Sequence, residues 1–250
     1  MTRYGEGERG VAWDPEMRRA KARKITTLLR RFGDLEGARV LDVGTGSGII
    51  AATLAELVGR RGEVVGVDVT DQRMVRDGYV FVPVSGTELP FGDGVFDVVV
   101  SNHVIEHVGD HRAQLHHLRE IRRVLRDGGL CYVATPNRWT IVEPHFKLPF
   151  LSWLPSGLRS PYVRLAGKGD EYDCLLLRRP ELEELFVRTP LIHRELTIDA
   201  MRLMAKIERL PGLKRRLLTA PGGILRALRP ILPSMVFLAR KGPWTSEPQM

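Results

Sequence analysis

The sequence has few cysteines, and their small number limits the kinds of fold and site that it can form. Of 250 residues only Cys131 and Cys174 are cysteine, which is too few for a framework of disulfides. The two are also too scattered for the usual spacing of zinc ligands, so the sequence predicts no metal site. Cys131 lies in an apolar run and is interpreted as a small core residue. A reducing, cytoplasmic location is the expectation that follows.

Long apolar runs are also missing. No stretch of 18 or more apolar residues occurs, so no membrane-spanning helix is predicted. Residues 1–10 are polar and lack the apolar segment of a secretion signal. The hydrophobic content of 43% is ordinary for a globular protein with a sizeable core. The length suits one α/β domain with insertions.

Acidic residues are scarce at one end of the chain. Residues 200–250 carry ten Lys and Arg against two Asp and Glu, which accounts for the whole net charge of +8. Within this region, 200–233 mixes basic and apolar residues and is broken by prolines into short amphipathic helices. Three roles are open: a cap over a pocket, peripheral contact with an anionic membrane or lipid-linked ligand, and, least favoured, nucleic-acid binding.

Against these absences stands one glycine-rich stretch. Arg39–Val43 is predicted to be a buried strand, and Gly44, Gly46 and Gly48 follow at every second position before an Ala- and Leu-rich helix. A strand, a glycine turn and a helix N-terminus together form a cradle for an anionic or polar ligand. The dinucleotide spacing G-x-G-x-x-G is not met in full, because the last position counted from Gly46 holds Ala51. Some dinucleotide-binding proteins have Ala at this position, so the spacing alone does not exclude NAD as the ligand.

A second strand, 63–68, ends in Asp68, twenty residues after Gly48. An acidic side chain at this place can accept hydrogen bonds from ribose hydroxyls. Val69, the next residue, can pack on one face of an adenine. Residues 71–77 are interpreted as a short helix, and 79–84 as a third strand.

The segment Val-Leu-Asp-Val-Gly-Thr-Gly-Ser-Gly resembles motif I of the class I S-adenosylmethionine (SAM)-dependent methyltransferases. Residues 96–108, Phe-Asp-Val-Val-Val-Ser-Asn-His-Val-Ile-Glu-His-Val, look like motif IV of the small-molecule methyltransferases. They lack the Asp/Asn-Pro-Pro-Tyr signature of enzymes that methylate nucleic-acid bases. Residues 118–130 resemble the Leu-Lys-Pro-Gly-Gly turn of the same family, with Arg-Asp in place of Lys-Pro. The resemblance implies a doubly wound α/β fold, with a seven-stranded, mostly parallel sheet and an antiparallel last strand.

The resemblance also implies which residues bind SAM, and Asp42 would order the glycine turn. The methionyl end of SAM would contact Gly44, Thr45, Gly46 and Gly48. The ribose would contact Asp68, and the adenine Val69, Ser85, Gly86 and Thr87. Ser85 stands where the family often has Asp, so this part of the site departs from the pattern. Asn102 and His103 would lie near the sulfonium and its methyl group.

Candidate residues for chemistry are His107 and His103. His107 is either a general base for an acceptor hydroxyl or a residue that orders the loop and fixes Glu106. Residues 139–178 are rich in aromatics and proline, and they are interpreted as an insertion that forms an acceptor cap or packs on the core. Polar contacts to the acceptor are predicted from His145, Lys147 and Tyr172.

The predicted organisation therefore has six parts. They are an N-terminal arm and helix (1–34), a SAM-binding core (35–138), the cap (139–178), a core helix and strand (179–199), a basic insertion (200–233), and a last strand with a tail (234–250). The expected function is methyl transfer from SAM to a small-molecule, glycan or lipid-linked acceptor. The alternatives are a SAM-binding module without turnover and a membrane-surface scaffold. The sequence does not indicate an oligomeric state.

Overall fold

The computed structural model describes residues 14–207 and 220–244, and its centre is a seven-stranded sheet. The spatial order is β3-β2-β1-β4-β5-β7-β6, in which β1 to β5 are parallel and β7 runs antiparallel to both β5 and β6. This confirms the predicted sheet. The strands are β1 (Arg39–Val43), β2 (Glu63–Asp68), β3 (Val80–Pro83), β4 (Phe96–Asn102), β5 (Leu125–Pro136), β6 (Ile192–Glu195) and β7 (Ser234–Arg240).

Helices cover both faces of the sheet, which is why the central strands are nearly continuous apolar runs. The helices are α1 (Pro15–Arg30), α2 (Ile49–Val58), α3 (His111–Val124), α4 (Ser156–Leu165), α5 (Arg179–Arg188), α6 (Thr197–Ile207) and α7 (Gly222–Leu228). One apolar layer joins β1 to α1, α2 and α6 through Val40, Leu54 and Ala200. The other joins β4 to α3 and α5 through Val99, Leu118 and Phe186.

The start of α1 is as the sequence predicts. Asp14 is the N-cap, and its side chain accepts hydrogen bonds from the amides of Glu16 and Met17. Such a cap satisfies donors that the first turn of a helix leaves unpaired. Pro15 follows at the first helical position, where the lack of an amide proton costs nothing.

The structure contradicts the predicted helix at 71–77. These residues are irregular instead, with bends only at 74 and 77, because Asp71 accepts hydrogen bonds from both the amide and the side chain of Arg73. Local bonds of this kind compete with helix formation. The amides of Met74 and Val75 then donate to the carbonyl of Ser47, so the segment packs against the glycine turn.

The cap has a small hydrophobic core of its own. Phe146, Leu148, Leu151 and Val163 are buried together, and Tyr172 packs against them. Its backbone is tied to the sheet where the amide of Leu175 donates to the carbonyl of Glu106, and the amide of Arg138 donates to that of Leu177. Only a 3-10 turn (Leu151–Trp153) and α4 are regular within it, as the density of prolines and aromatics indicates.

The basic insertion begins as α6, which packs on α1 and places Arg31 3.5 Å from Asp199. Asn137, at the end of β5, donates from its side-chain amide to the carbonyls of Pro230 and Leu232. The predicted N-terminal arm (1–12), the part of the basic insertion at 208–219 and most of the tail lie outside the described residues. Among the helices of the described ranges, none is both long and apolar enough to cross a membrane.

Candidate functional site

The site lies beyond the carboxyl ends of β1, β2 and β4, where the order of the parallel strands reverses. Open α/β sheets bind their ligands at such a point. The three glycines of the β1–α2 turn all have positive φ but have different surroundings. A methyl group added to Gly44 would collide with Val104, and one added to Gly48 would collide with the carbonyl of Val75 and the hydroxyl of Tyr79.

Gly46 differs from its two neighbours. A methyl group on Gly46 would contact only Arg18 and the carbonyl of Gly44, each at 3.9 Å. Gly46 is therefore the glycine of the turn that a ligand can approach closely. Thr45, in contrast, is buried against Gly66, and its hydroxyl donates to the carbonyl of Asp42, so its side chain stabilises the turn.

Asp68 lies at the end of β2, as predicted, and its carboxylate faces the glycine turn. One oxygen accepts a 2.8 Å hydrogen bond from the amide of Gly46, and the other accepts from Thr70. Val69 beside it is 64% exposed, an unusual exposure for a valine and one that fits a contact with an adenine ring.

Asp42 is buried beneath the turn, and its pKa is raised to about 8. Burial is the main cause and the negative charge of Asp68 adds to it, whereas Arg18 on α1 and the hydrogen bond from Thr45 act in the opposite direction. One carboxyl oxygen of Asp42 has no hydrogen-bond partner among the described residues. A buried acceptor of this kind fits a ligand with a donor or a positive charge, such as the amino group of a methionyl moiety.

The predicted adenine loop follows β3. Ser85 and Gly86 are exposed, and the hydroxyl of Thr87 lies 2.7 Å from the Nδ1 atom of His116 on α3. The Thr87 side chain thus contacts α3. The backbone amides of the loop remain the predicted ligand contacts at this place.

The end of β4 brings Asn102 and His103 to the same edge. Asn102 is buried, and its side-chain oxygen has no hydrogen-bond partner within the described ranges. His103 has a positive φ of 59°, an uncommon conformation that aims its ring at Glu106. Burial lowers the pKa of His103 to about 4, with a further decrease from Lys21 and Lys24 on α1, so its imidazole is neutral near pH 7.

Glu106 is the centre of the part of the site where the acceptor is predicted to bind, which we call the acceptor side. It is completely buried, and one oxygen accepts a hydrogen bond from the hydroxyl of Thr135. Its other oxygen lies 3.4 Å from Nδ1 of His103 and 3.9 Å from Nε2 of His145. Burial alone would raise its pKa, but the close contact with His103 and the charges of the nearby His107 and His145 bring the pKa to about 2.

The cap adds a further set of residues to this centre. Nδ1 of His145 lies 2.6 Å from the carboxylate of Glu143, which is itself completely buried. The His107 ring meets the His145 ring edge to face, with centroids 5.0 Å apart. Sγ of Cys174 lies 3.8 Å from Nδ1 of His107.

Two of the three predicted acceptor contacts reach this region. Burial raises the pKa of Tyr172, and the charges of Glu143 and Glu106 raise it further. Its buried hydroxyl has no hydrogen-bond partner within 14–207 and 220–244. Lys147 is exposed, so its contact with an acceptor stays a prediction. Sequence reasoning missed Glu143 and Cys174, because they are 31 positions apart and no motif surrounds either of them.

Comparisons with known proteins show that this chain is similar to methyltransferases. Residues 41–133 match a family model described as a methyltransferase domain. The chain is 43% identical over 173 residues to a Mycobacterium tuberculosis protein named "Probable S-adenosylmethionine-dependent methyltransferase", covering 66% of this chain and 60% of that protein. It is 30% identical over 139 residues to demethylmenaquinone methyltransferase of Lactococcus lactis, covering 51% and 54%. The chain thus spans little more than half the length of these two relatives.

Solved structures show the same fold at low identity. Phosphoethanolamine N-methyltransferase 2 of Haemonchus contortus, in complex with SAM, matches with a TM-score of 0.55 and 19% identity, over 87% of this chain and 52% of that one. The [4+2]-cyclase SpnF matches with a TM-score of 0.52 and 18% identity, over 87% and 79%. Because one neighbour is a methyltransferase and the other a cyclase, the fold alone does not define the reaction.

Proposed function

We propose, from the chain's similarity to SAM-dependent methyltransferases, that it transfers a methyl group from SAM to a small acceptor bound under the cap. The observation that carries the proposal is the turn at Gly46, where an approachable glycine donates its amide proton to the carboxylate of Asp68, together with the buried carboxyl oxygen of Asp42 that has no hydrogen-bond partner among the described residues. This set of groups suits the methionyl and ribose parts of one ligand.

The residues present fit SAM along the whole edge of the sheet. Asp68 would bind the ribose, Asp42 would face the methionyl amino group, and Val69 with the loop at 85–87 would contact the adenine. When bound, SAM supplies a methyl group that is already activated on a sulfonium. The chain's contribution is then to hold the acceptor in line with that methyl group, which can supply much of the rate enhancement.

The acceptor side supports an apolar ligand with one or two polar groups. Cap aromatics Trp139, Phe150 and Trp153 contact one another and are 38–49% exposed. The unpartnered hydroxyl of Tyr172 and the neutral ring of His103 can bind polar atoms of the acceptor. Several relatives are named for quinone methylation, so quinone-like, lipid-linked and glycan acceptors are the first to test.

Peripheral membrane contact through 200–233 is a further part of the proposal. Within its described residues, Ile224 and Ile231 are exposed beside Arg226 and Arg229. Co-sedimentation with anionic vesicles at low salt, lost at high salt and on substitution of these two isoleucines by Ser, is the expected result. Equal binding by the substituted protein would contradict it.

The decisive experiment is calorimetric titration with S-adenosylhomocysteine, followed by detection of its formation from SAM with quinone, lipid and glycan extracts. The wild-type protein should bind it with micromolar affinity. Asp68→Ala should weaken binding by about 100-fold or more, since charge-assisted hydrogen bonds to the ribose are lost. Asp127→Ala, an exposed carboxylate at the opposite end of the sheet, is the matched control and should bind normally.

Wild-type affinity in Asp68→Ala would contradict the assigned site. Binding without turnover on any acceptor would favour the alternative, a SAM-binding module that does not catalyse methyl transfer. The two results separate the cofactor assignment from the proposed reaction.

A further inference from the structure

The cap and the loop after β4 bring together three side chains that are typical metal ligands. One donor atom from each of His107, His145 and Cys174 lies within 4.8 Å of the other two. The distance between Nδ1 of His107 and Sγ of Cys174 is 3.8 Å. In a tetrahedral zinc site a sulfur at about 2.3 Å and a nitrogen at about 2.0 Å from the ion are separated by a similar distance.

The surroundings of His145 match those of a metal-bound histidine. Its Nδ1 atom lies 2.6 Å from a carboxylate oxygen of Glu143, and the other Glu143 oxygen accepts a 2.7 Å hydrogen bond from the amide of Phe146. The ring is therefore held in one orientation with its Nε2 atom toward Glu106. A carboxylate that fixes the second ring nitrogen is the usual partner of a ligating histidine.

The buried carboxylates near these three side chains give a second argument for a bound cation. Glu106 and Glu143 are both completely buried, and Oε1 of Glu106 has no hydrogen-bond partner in the part of the chain that the structure describes. That oxygen faces the cluster, 3.9 Å from Nε2 of His145. Two buried carboxylates beside imidazoles and a thiol are stabilised by a positive ion at the centre of the cluster.

We propose that His107, His145 and Cys174 bind a divalent transition-metal ion, with Zn²⁺ the best match. Two imidazole nitrogens and one thiolate form a donor set of borderline softness, which suits Zn²⁺ better than Mg²⁺ or Ca²⁺. Three protein ligands leave the fourth position for water or an oxygen of the acceptor. His107 is then a metal ligand rather than a general base. The metal site does not depend on the proposed methyl transfer.

The test uses Co²⁺ as a coloured substitute for Zn²⁺ in the full-length, chelator-treated protein. One equivalent of Co²⁺ should bind and give a thiolate-to-metal charge-transfer band in the near ultraviolet, which one equivalent of Zn²⁺ should remove. Cys174→Ala should lose the band, whereas Cys131→Ala, the matched control in β5, should keep it. Glu143→Gln should weaken metal affinity by about 10–100-fold.

Circular dichroism and thermal unfolding of the same variants report whether they remain folded. Absence of stoichiometric Co²⁺ binding by the wild-type protein would overturn the proposal, as would a charge-transfer band that persists in Cys174→Ala. Metal binding by a protein that fails to bind S-adenosylhomocysteine would support the metal site and contradict the proposed function. Each proposal therefore has its own readout.

Discussion

The two halves of the site differ in how far apart along the chain their partners lie. On the cofactor side, Gly46 and Asp68 are 22 positions apart and belong to one strand–helix–strand unit. On the acceptor side, His107 and Cys174 are 67 positions apart and meet only because the cap folds back over β4. The first half is a property of a local motif. The second depends on tertiary contacts between the cap and the loop after β4, and it is the half in which we propose that the acceptor binds.

The largest expected effect is on the cofactor side. Gly48→Ala should destabilise the protein by about 3–5 kcal/mol, since the new side chain meets the carbonyl of Val75 in a left-handed backbone conformation. Chemical denaturation measures this change. Gly46→Ala, with open space around it, should cost only about 1 kcal/mol yet abolish binding of S-adenosylhomocysteine. Equal destabilisation by both substitutions would remove the distinction between a packing glycine and a ligand glycine.

On the acceptor side, Glu106→Ala should cost about 2–4 kcal/mol. It removes a buried carboxylate that bonds Thr135 and lies beside His103, and it leaves a cavity. Thermal and denaturant unfolding measure the loss, and affinity for S-adenosylhomocysteine should change far less than stability does. Glu184→Ala, an exposed control on α5, should be nearly neutral. If affinity for S-adenosylhomocysteine fell as steeply as stability, the cofactor side and the acceptor side would not be independent of each other.

The pH dependence of stability tests the buried Asp42. Because its folded-state pKa is raised to about 8, the folded protein holds a proton that the unfolded chain releases near pH 4. Its contribution to stability should therefore fall as the pH rises from about 4 to about 8. Asp42→Asn should flatten this decline and be more stable than wild type by roughly 1–3 kcal/mol at pH 8, with a smaller difference at pH 5.

The same substitution should weaken binding of S-adenosylhomocysteine, because Asp42 can release its proton to balance the charge of the methionyl amino group, whereas the amide cannot ionise. Denaturation at several pH values, paired with calorimetry, separates the two effects. A parallel pH profile for wild type and Asp42→Asn would contradict the raised pKa.

The smallest expected effect is a change in affinity for S-adenosylhomocysteine at the predicted adenine loop, on the cofactor side. Ser85→Asp restores the acidic residue of the resembled family and should tighten binding of S-adenosylhomocysteine about 3–10-fold, since a carboxylate accepts the adenine amino proton more strongly than a hydroxyl. Ser156→Asp, at the first residue of α4 in the cap, controls for the added charge. Unchanged affinity would place the adenine away from residue 85.

Particular residues show why the sequence predicts one half of the site better than the other. The bounds of β1 and β2 and the position of Asp68 follow from apolar runs and a glycine turn, which are local patterns. The sequence does not predict the irregular segment at 71–77, because the side-chain hydrogen bonds of Asp71 outweigh helix propensity. Glu143 and Cys174 have no periodicity around them, so only tertiary contacts reveal their place. The role of His107 was open for the same reason.

The side chain of Asn137 has a consequence for protein engineering. It lies where the cap begins, and it holds the carbonyls of Pro230 and Leu232 at the end of the basic insertion. The two insertions are far apart in sequence but share this residue as an anchor. A cap transplanted from a relative would lose that anchor unless the second insertion came with it. An exchange of the cap should therefore include the second insertion, so that the bonds of Asn137 to the carbonyls of Pro230 and Leu232 are kept.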